Sequence, residues 1–109
     1  MEINFEEVKP SDEISIKTEN SLYSFSVEEP EQRKGILTGG TLGNQRREAV
    51  LVSSIEGDGR AGTKAFTELK TGARALFFMT AKNGIERLIT SVITHLSHLK
   101  SKRDARRAA

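Results

Sequence analysis

The stretch formed by residues 74–96 constrains the fold most strongly, because it holds the densest apolar run in the chain. Successive side chains of an extended strand point to opposite faces. In such a strand one face carries Ala73, Ala75, Phe77 and Met79, and the other carries Leu76 and Phe78. The first half of the stretch therefore predicts a strand that is buried on both faces, or one whose second face is covered by something outside the sheet.

The dipeptide Asn83-Gly84 interrupts this stretch and favours a tight hairpin, since both residues tolerate the left-handed backbone conformation that a two-residue turn needs. A turn at these residues places Met79 opposite Leu88, Phe78 opposite Ile89 and Ala75 opposite Val92. Apolar side chains meet at all of these positions, which supports a strand after the turn.

The residues after Asn83 can also be interpreted as a helix. Apolar residues recur there at helical spacing, at Ile85, Leu88, Ile89, Val92, Ile93, Leu96 and Leu99. Asn83 would cap such a helix, with Glu86 in its first turn. However, five of the six residues from 89 to 94 are β-branched, and such residues suit a pleated sheet better than a helix. We therefore predict a strand over residues 85–94 and a short basic helix or tail beyond Leu96.

A second hairpin is predicted within residues 13–28. A two-residue turn at Glu19-Asn20 pairs Ile16 with Tyr23 and Ile14 with Phe25, and Val27 continues the same face. A slip of one residue would move this apolar set to the other face, so the register is strongly specified.

Further short strands are indicated at residues 36–38, which end at Gly39-Gly40, and at residues 48–55. Residues 65–72 indicate a single helical turn or a short strand. Five to six short strands with turn signals between them predict a mainly β chain, folded as a barrel or a small sandwich. Of these we expect a small antiparallel barrel. We expect an acidic and loose lead-in over residues 1–12, a β-barrel domain over 13–96 and a basic C-terminal tail over 97–109.

Four segments carry a resemblance to a known group of proteins. They are T-E-N-S-L-Y-S-F-S-V from Thr18, G-I-L-T-G-G from Gly35, L-K-T-G-A-R-A-L-F-F from Leu69 and L-I-T-S-V-I from Leu88. In these segments the chain resembles small uncharacterised bacterial β-barrel proteins, which share a T-x-N-S-x-Y opening, a G-G corner and a closing T-S-x-V strand. The likeness spans roughly residues 14–96. It implies a β-barrel and a strand over residues 85–94, and it implies no catalytic residue because the group has no assigned activity.

Charge is distributed unevenly along the chain, although the net charge is only +2. Residues 1–31 carry nine acids against two lysines, a net of −7. Residues 32–97 carry ten bases against five acids, and residues 98–109 carry five bases against one acid, which gives +5 and +4. A basic end of this kind either stays solvated or meets phosphate or an acidic partner.

The composition also bears on the compartment. The chain has no cysteine, which excludes disulfides, thiolate metal sites and thiol catalysis and fits a reducing environment. Its first residues are acidic and lack the apolar core of a signal peptide. No apolar run approaches the length of a membrane span. We therefore expect a soluble, cytoplasmic protein without a membrane partner.

Residues 57–62 match the G-x-G-x-x-G pattern of dinucleotide-binding loops and follow a predicted strand. A helix after them could span only residues 63–71, and the acid expected after the next strand is missing. The order Thr63-Lys64 also reverses the one that a phosphate loop requires. We interpret these glycines as a hairpin loop and expect no cofactor.

His95 and His98 lie three residues apart, so on a helix they could share a face and bind a metal. No acid lies near them in the sequence before Asp104, and we therefore expect no metal site. The serines of the chain have no general base placed by a motif. We predict a protein that is not an enzyme and has no catalytic residue.

Two functions are consistent with these features. Both faces of residues 48–55 and 74–80 are apolar, which is more than the core of one small domain readily hides, and this favours an interaction module that self-associates or binds a protein partner. The alternative is a nucleic-acid-associated protein that contacts the phosphate backbone through charge, since no aromatic platform for bases is evident. The residues expected to contact phosphate or a partner are Arg46, Arg47, Arg60, Lys100, Lys102, Arg103, Arg106 and Arg107.

Overall fold

A computed structural model describes residues 1–57 and 64–101 of the chain. These residues form ten strands: β1 (Glu2–Ile3), β2 (Glu13–Thr18), β3 (Leu22–Glu29), β4 (Lys34–Gly39), β5 (Arg47–Glu56), β6 (Lys64–Phe66), β7 (Leu69–Lys70), β8 (Arg74–Ala81), β9 (Gly84–Ile89) and β10 (Ile93–Leu99). Short 3-10 helices span Phe5–Glu7, Pro30–Gln32 and Gly40–Leu42. The predicted mainly β class is confirmed. Within the described ranges no helix combines the length and the apolar content that a membrane crossing requires.

Eight of these strands form one antiparallel sheet. Seven of them lie in the order β10-β2-β3-β4-β5-β8-β9, and β6 pairs with β5. The strand β5 is long enough to change partners, because its first residues pair with β4 and its last residues pair with β6, while β8 occupies its other edge. The short strands β1 and β7 form a separate antiparallel pair.

The core lies on one face of the large sheet, where alternate residues of its strands point. Phe25 of β3 and Phe77 of β8 meet edge to face at its centre, with ring centroids 5.1 Å apart and an interplanar angle of 70°. The fully buried apolar side chains around them include Ile14, Ile16, Val27, Leu37, Leu51, Leu69 and Ile93.

The N-terminal segment, which we expected to be a loose lead-in, is packed against this core. Ile3, Phe5 and Val8 are all buried, and the Phe5 ring lies 6.4 Å from that of Phe25 between centroids. Three apolar side chains among acidic neighbours are therefore enough to fix the segment against the sheet, because their burial removes apolar surface from water.

The predicted closure into a barrel of five to six strands is wrong. The described residues contain ten strands, and the end strands β9 and β10 do not pair with each other, so the large sheet is open. The first residue of β10 is instead tied to the segment before β8. Ile93 N–H donates to the Ala73 carbonyl, and Gly72 N–H donates to the Ile93 carbonyl, both over 2.8 Å.

The prediction of strand rather than helix over residues 85–94 is confirmed, although the structure divides it. Strand β9 ends at Ile89 and β10 begins at Ile93, so residues 90–92 form a break between them. The two strands also have different neighbours, since β9 pairs with β8 and β10 pairs with β2. The break exists because the chain crosses from one end of the sheet to the other.

The predicted short basic helix beyond Leu96 is wrong where the structure describes it. Strand β10 continues to Leu99, which lies opposite Glu13 of β2. Residues up to Leu99 are extended because β2 offers a complete edge for pairing. Residues 102–109, which hold the rest of the predicted helix or tail, lie outside the described residues.

The register predicted for the hairpin within residues 13–28 is confirmed. Ile14 lies opposite Phe25 and Ile16 lies opposite Tyr23, and all four side chains are buried. Glu19 and Asn20 form the turn, which a hydrogen bond from Thr18 N–H to the Ser21 carbonyl closes at 2.8 Å.

The register predicted for the second hairpin is wrong by two residues. Met79 lies opposite Glu86 rather than Leu88, and Ala81 lies opposite Gly84, so the turn residues are Lys82 and Asn83. Of the residues at this turn, only Gly84 adopts a positive φ, 131°. A turn that places glycine after its two central residues moves the pairing by two positions but leaves every side chain on the expected face.

Candidate functional site

Apolar side chains are exposed on the face of the sheet that points away from the core, across β5, β8 and β9. We call this set the outer apolar patch, and it comprises Val50, Val52, Leu76, Phe78, Ile85 and Ile89. Val50 lies opposite Phe78 across β5 and β8, and Leu76 lies opposite Ile89 across β8 and β9. Directly opposed residues have Cβ atoms roughly 5 Å apart, so each of these two pairs is in contact. On β9 the patch also encloses Arg87, which lies opposite Phe78 between Ile85 and Ile89.

The alternation along β8 explains why this patch exists. Phe77 and Met79 point into the core as predicted, which leaves Leu76 and Phe78 on the outer face. Phe78 is 40% exposed, and Leu76 on the same face is partly buried. The second apolar face that the sequence indicated for residues 74–80 is therefore partly open to solvent in the isolated chain.

Strand β5 contributes two exposed valines to the patch, at the position of a bulge. The register between β5 and β8 shifts between Leu51 and Ser53, so Val52 is the extra residue of a bulge. Its side chain stays exposed, as does that of Val50. Val50 and Val52 are two residues apart, so alternation places both on the outer face. The bulge brings Ser53 to the same face, where it lies opposite Leu76.

The patch ends at an unpaired sheet edge formed by β9. Strand β9 pairs with β8 on one side only, and its residues are exposed except for Leu88, which is partly buried against the core. Glu86 and Arg87 lie in the middle of this edge, and Glu86 also forms an ion pair with Arg47 at 3.5 Å. Charged residues at this position disfavour simple extension of the sheet by another strand.

A cleft of about 810 Å³ lies at a different place, between the N-terminal segment (residues 4–10) and residues 28–33, which comprise the end of β3 and its connection to β4. Its lining includes the glutamates Glu6, Glu28, Glu29 and Glu31, against the two cations Lys9 and Arg33. The net charge of the lining is therefore −2. We call this the acidic cleft.

Arg33 holds the walls of the acidic cleft together. Its backbone is left-handed, with φ 57°, and its guanidinium lies 4.6 Å from the centroid of the Phe5 ring. The same guanidinium donates hydrogen bonds to the Leu51 carbonyl at 3.0 Å and to the Thr67 carbonyl. Burial lowers the pKa of Arg33, and the negative charge of Glu68 partly offsets this shift. The arginine stays charged in either case.

Asp12 joins the N-terminal segment to the end of β10. Its carboxylate is buried and accepts hydrogen bonds from Lys9 N–H at 3.0 Å and Ser101 N–H at 2.7 Å. The His98 ring contacts it as well, with 2.7 Å between Nε2 and Oδ2. Burial alone would raise the pKa of Asp12, but the two backbone donors and His98 outweigh burial and hold it below its ordinary value.

No local pattern in the sequence predicts the contact between Asp12 and His98, because the two residues lie 86 positions apart. The sequence spacing pairs His98 only with His95, on one face of a helix. On strand β10 the two histidines point to opposite faces, since residues three apart alternate. In the described residues no group of three or more potential metal ligands comes together.

The basic residues predicted to contact phosphate or a partner are only partly described. Arg46 and Lys100 are exposed, whereas Arg47 is partly buried and donates to the Thr80 carbonyl at 2.9 Å. Lys100 follows β10, which three strands separate from β5 in the sheet order, so the structure does not bring these residues together. Arg60, Lys102, Arg103, Arg106 and Arg107 lie outside the described residues, as do residues 58–62 of the glycine loop.

The sequence motifs behind the resemblance make structural contacts with one another. Ser91 Oγ donates to Thr18 Oγ1 at 2.7 Å, which ties the T-S segment to the T-E-N-S turn. The Tyr23 hydroxyl contacts Thr41 Oγ1 at 3.2 Å, and a Cβ added to Gly40 would lie 2.2 Å from the Tyr23 ring. These residues therefore fix a turn and a corner of the sheet.

No protein-family model, curated protein or solved structure matches this chain. The resemblance to small bacterial β-barrel proteins therefore stays a prediction.

Proposed function

We propose that this chain is a non-enzymatic β-sheet interaction module that associates with a second copy of itself through the outer apolar patch. The observation that carries the proposal is the exposure of Phe78, which is directly opposite Val50 and in the middle of three adjacent strands. Isolated exposed apolar residues are normal on soluble proteins, but a continuous patch of them marks an interaction surface.

The geometry of the patch suits a second copy. It is a pleated sheet face, and two such faces can stack about 10 Å apart with interdigitated side chains. A two-fold axis places the same patch on both sides of the contact. Arg87 lies within the patch, opposite Phe78, and Glu48 lies on β5 two residues before Val50. These two exposed charges have opposite signs, so they can pair across a two-fold contact and need not repel.

The size of the patch indicates how strong this association is. From their exposed fractions, Val50, Val52, Phe78, Ile85 and Ile89 present on the order of 400 Å² of apolar surface per copy. One side of a standard protein interface buries about 800 Å², so the patch supplies the apolar centre and polar rim residues must supply the remainder. We therefore expect a reversible dimer rather than a permanent one.

Analytical ultracentrifugation of the full chain tests the proposal. We expect the wild type to approach twice the chain mass of 12.0 kDa as its concentration rises, and Phe78→Lys to remain a monomer because it buries an unpaired charge. The matched control is Leu22→Lys, since Leu22 is exposed by 59% but lies on β3, outside the patch. A wild type that stays monomeric at millimolar concentration, or equal loss of the dimer in both variants, contradicts the proposal.

The proposal also includes a compartment and is preferred over the alternative function. Because the chain has no cysteine, we propose a reducing, cytoplasmic environment for it. Nucleic-acid association through loop and tail charges stays a prediction, and the described basic residues do not form one surface that favours it over self-association.

A further inference from the structure

We propose that the two copies meet in one orientation, in which the two-fold axis runs diagonally across the outer apolar patch from Val52 through Phe78 to Ile85. In this orientation Glu48 of each copy forms an ion pair with Arg87 of the other. The inference rests on the proposed self-association, and it adds the residues that select the orientation. It follows from where the pairing of the strands places the two charges.

Strand pairing fixes the positions of these residues on the outer face. Phe78 of β8 lies between Val50 of β5 and Arg87 of β9, so these residues form one row across three strands. Glu48 lies two residues before Val50, and Ile85 lies two residues before Arg87. Strands β5 and β9 are both antiparallel to β8, so Glu48 and Ile85 occupy the next row in the same direction. Neighbouring strands are about 4.8 Å apart, and alternate residues of a strand are about 7 Å apart.

Glu48 and Arg87 are not neutralised within their own chain. Both are exposed, and they lie on opposite sides of β8, roughly 12 Å apart by these spacings. Within the part of the chain that the structure describes, neither side chain forms an ion pair. The neighbouring Glu86 pairs with Arg47 at 3.5 Å instead. Each of the two charges is therefore open to a partner from outside the chain.

Two-fold symmetry limits how the charges of two copies can meet. In a face-to-face contact the axis lies in the contact plane, and residues on the axis meet their own equivalents. An axis along β8 would place Arg87 over Val50 of the other copy, beside the cation Lys34. An axis across the strands would place Arg87 over its own equivalent. A diagonal from Glu48 to Ile89 would place Glu48 over its own equivalent, so each of these three axes brings like charges together.

The remaining diagonal brings apolar residues together along the axis. It passes through Val52, Phe78 and Ile85, which are exposed by 39%, 40% and 73%. Beside the axis, Val50 of one copy comes over Leu76 of the other. The apolar centre of the contact is therefore formed by residues that the isolated chain leaves open or half-buried.

The same diagonal brings Glu48 and Arg87 of different copies together. They come within roughly 5 Å of each other in projection, which these long side chains can span. Symmetry forms the pair twice, once on each side of the axis. The strands of the two copies then cross at a large angle, which is the orthogonal mode of sheet packing.

Charge reversal in separate chains tests the ion pairs by analytical ultracentrifugation. Glu48→Arg and Arg87→Glu should each weaken the homodimer at least about tenfold, because each homodimer then holds two pairs of like charges. An equal mixture of the two variants should form a heterodimer within about threefold of the wild-type affinity, since both of its pairs are again opposite in charge. Both residues are exposed in the single chain, so the variants should keep the wild-type circular dichroism.

A mixture of Glu48→Arg with Lys17→Glu is the matched control. Lys17 is an exposed cation of β2 and lies outside the outer apolar patch. Lys17→Glu should therefore dimerise by itself like the wild type. It should not restore the association of Glu48→Arg, because one of the two ion pairs would still hold like charges.

Cross-linking tests the direction of the axis. The chain has no cysteine, so Ile85→Cys and Ile89→Cys each introduce a single thiol on the outer face of β9. A short bis-maleimide should link two copies of Ile85→Cys, because the axis passes through this position. Ile89 is about 15 Å from its own equivalent in this orientation, so Ile89→Cys should react at least about tenfold more slowly. Adding Phe78→Lys should abolish the fast reaction.

The outcomes separate this geometry from the self-association on which it rests. A wild type that stays monomeric contradicts the self-association itself. A wild-type dimer that Phe78→Lys abolishes, but that either charge reversal leaves unchanged, retains the patch and overturns the proposed orientation. The orientation is equally overturned if the mixed charge-reversal variants stay monomeric, or if Ile89→Cys cross-links as fast as Ile85→Cys.

Discussion

Replacing Asp12 by asparagine tests how the two ends of the chain are held to the sheet. The carboxylate is 2% exposed and receives hydrogen bonds from Lys9 N–H, Ser101 N–H and the His98 ring. Asparagine has nearly the same shape, but only one of its two terminal atoms can accept a hydrogen bond. Its amide group must therefore face a backbone N–H that also donates.

The expected cost follows from these contacts. A hydrogen bond to a charged group contributes about 1.5–3 kcal/mol, and leaving a buried donor without an acceptor costs a similar amount. Asp12→Asn loses one such bond and weakens the others, so we expect the free energy of unfolding to fall by about 3 kcal/mol. In a domain of this size that corresponds to a decrease in Tm of roughly 15 °C.

The pH dependence gives a second and independent test. Because the pKa of Asp12 is depressed in the folded chain, its stabilisation is present above the pKa of the unfolded chain and is lost as the pH falls through the folded value. The difference between wild type and Asp12→Asn should therefore be constant near neutral pH and shrink below about pH 4, where unfolded aspartate becomes protonated.

Urea unfolding followed by circular dichroism measures both effects. The control is Glu48→Gln, which removes an exposed carboxylate and should change the free energy of unfolding by less than about 0.5 kcal/mol. The reasoning fails if Asp12→Asn is as stable as this control at neutral pH. It also fails if the difference between wild type and Asp12→Asn is the same at pH 3 and pH 7.

Two further substitutions test the corner and the cleft wall. Gly40→Ala should destabilise the chain by about 2 kcal/mol or more, because its Cβ would lie 2.2 Å from the Tyr23 ring. Gly43→Ala is the matched control, since its φ of 60° is similar but nothing lies within 4 Å of the added Cβ, and thermal unfolding should show the smaller loss there. Arg33→Lys should cost about 2 kcal/mol in urea unfolding because an ammonium cannot reproduce the guanidinium contacts with the Leu51 carbonyl and the Phe5 ring. Wild-type stability in this variant would show that the guanidinium is not needed.

Local sequence patterns predicted the elements whose partners lie close in the chain. The hairpin of β2 and β3 was predicted in register because its alternation allows one pairing that buries Ile14, Ile16, Tyr23 and Phe25 together. The pairing of β8 with β9 was predicted two residues out of register. Either position of the turn keeps the same side chains on the same faces, so the hydrophobic pattern cannot distinguish them.

The candidate site was predictable only in part, for a similar reason. The exposed Phe78 and Val50 belong to apolar faces that the sequence showed to exceed the needs of one core. The acidic cleft depends on Arg33 contacting residues of β5 and the loop after β6, and the Asp12–His98 contact spans almost the whole chain. No local periodicity records a contact between residues so far apart.

The sequence by itself determined a mainly β chain, the faces of its strands and an apolar surplus on β5 and β8, because alternation of side chains is a property of each strand alone. The tertiary structure decided that the sheet stays open. Its last strand joins β2, and Ile93 bonds to Gly72 and Ala73, so β9 remains an edge. Which edge strands meet depends on how the whole sheet curves over its core. Every strand contributes to this curvature, so no single segment of the sequence predicts it.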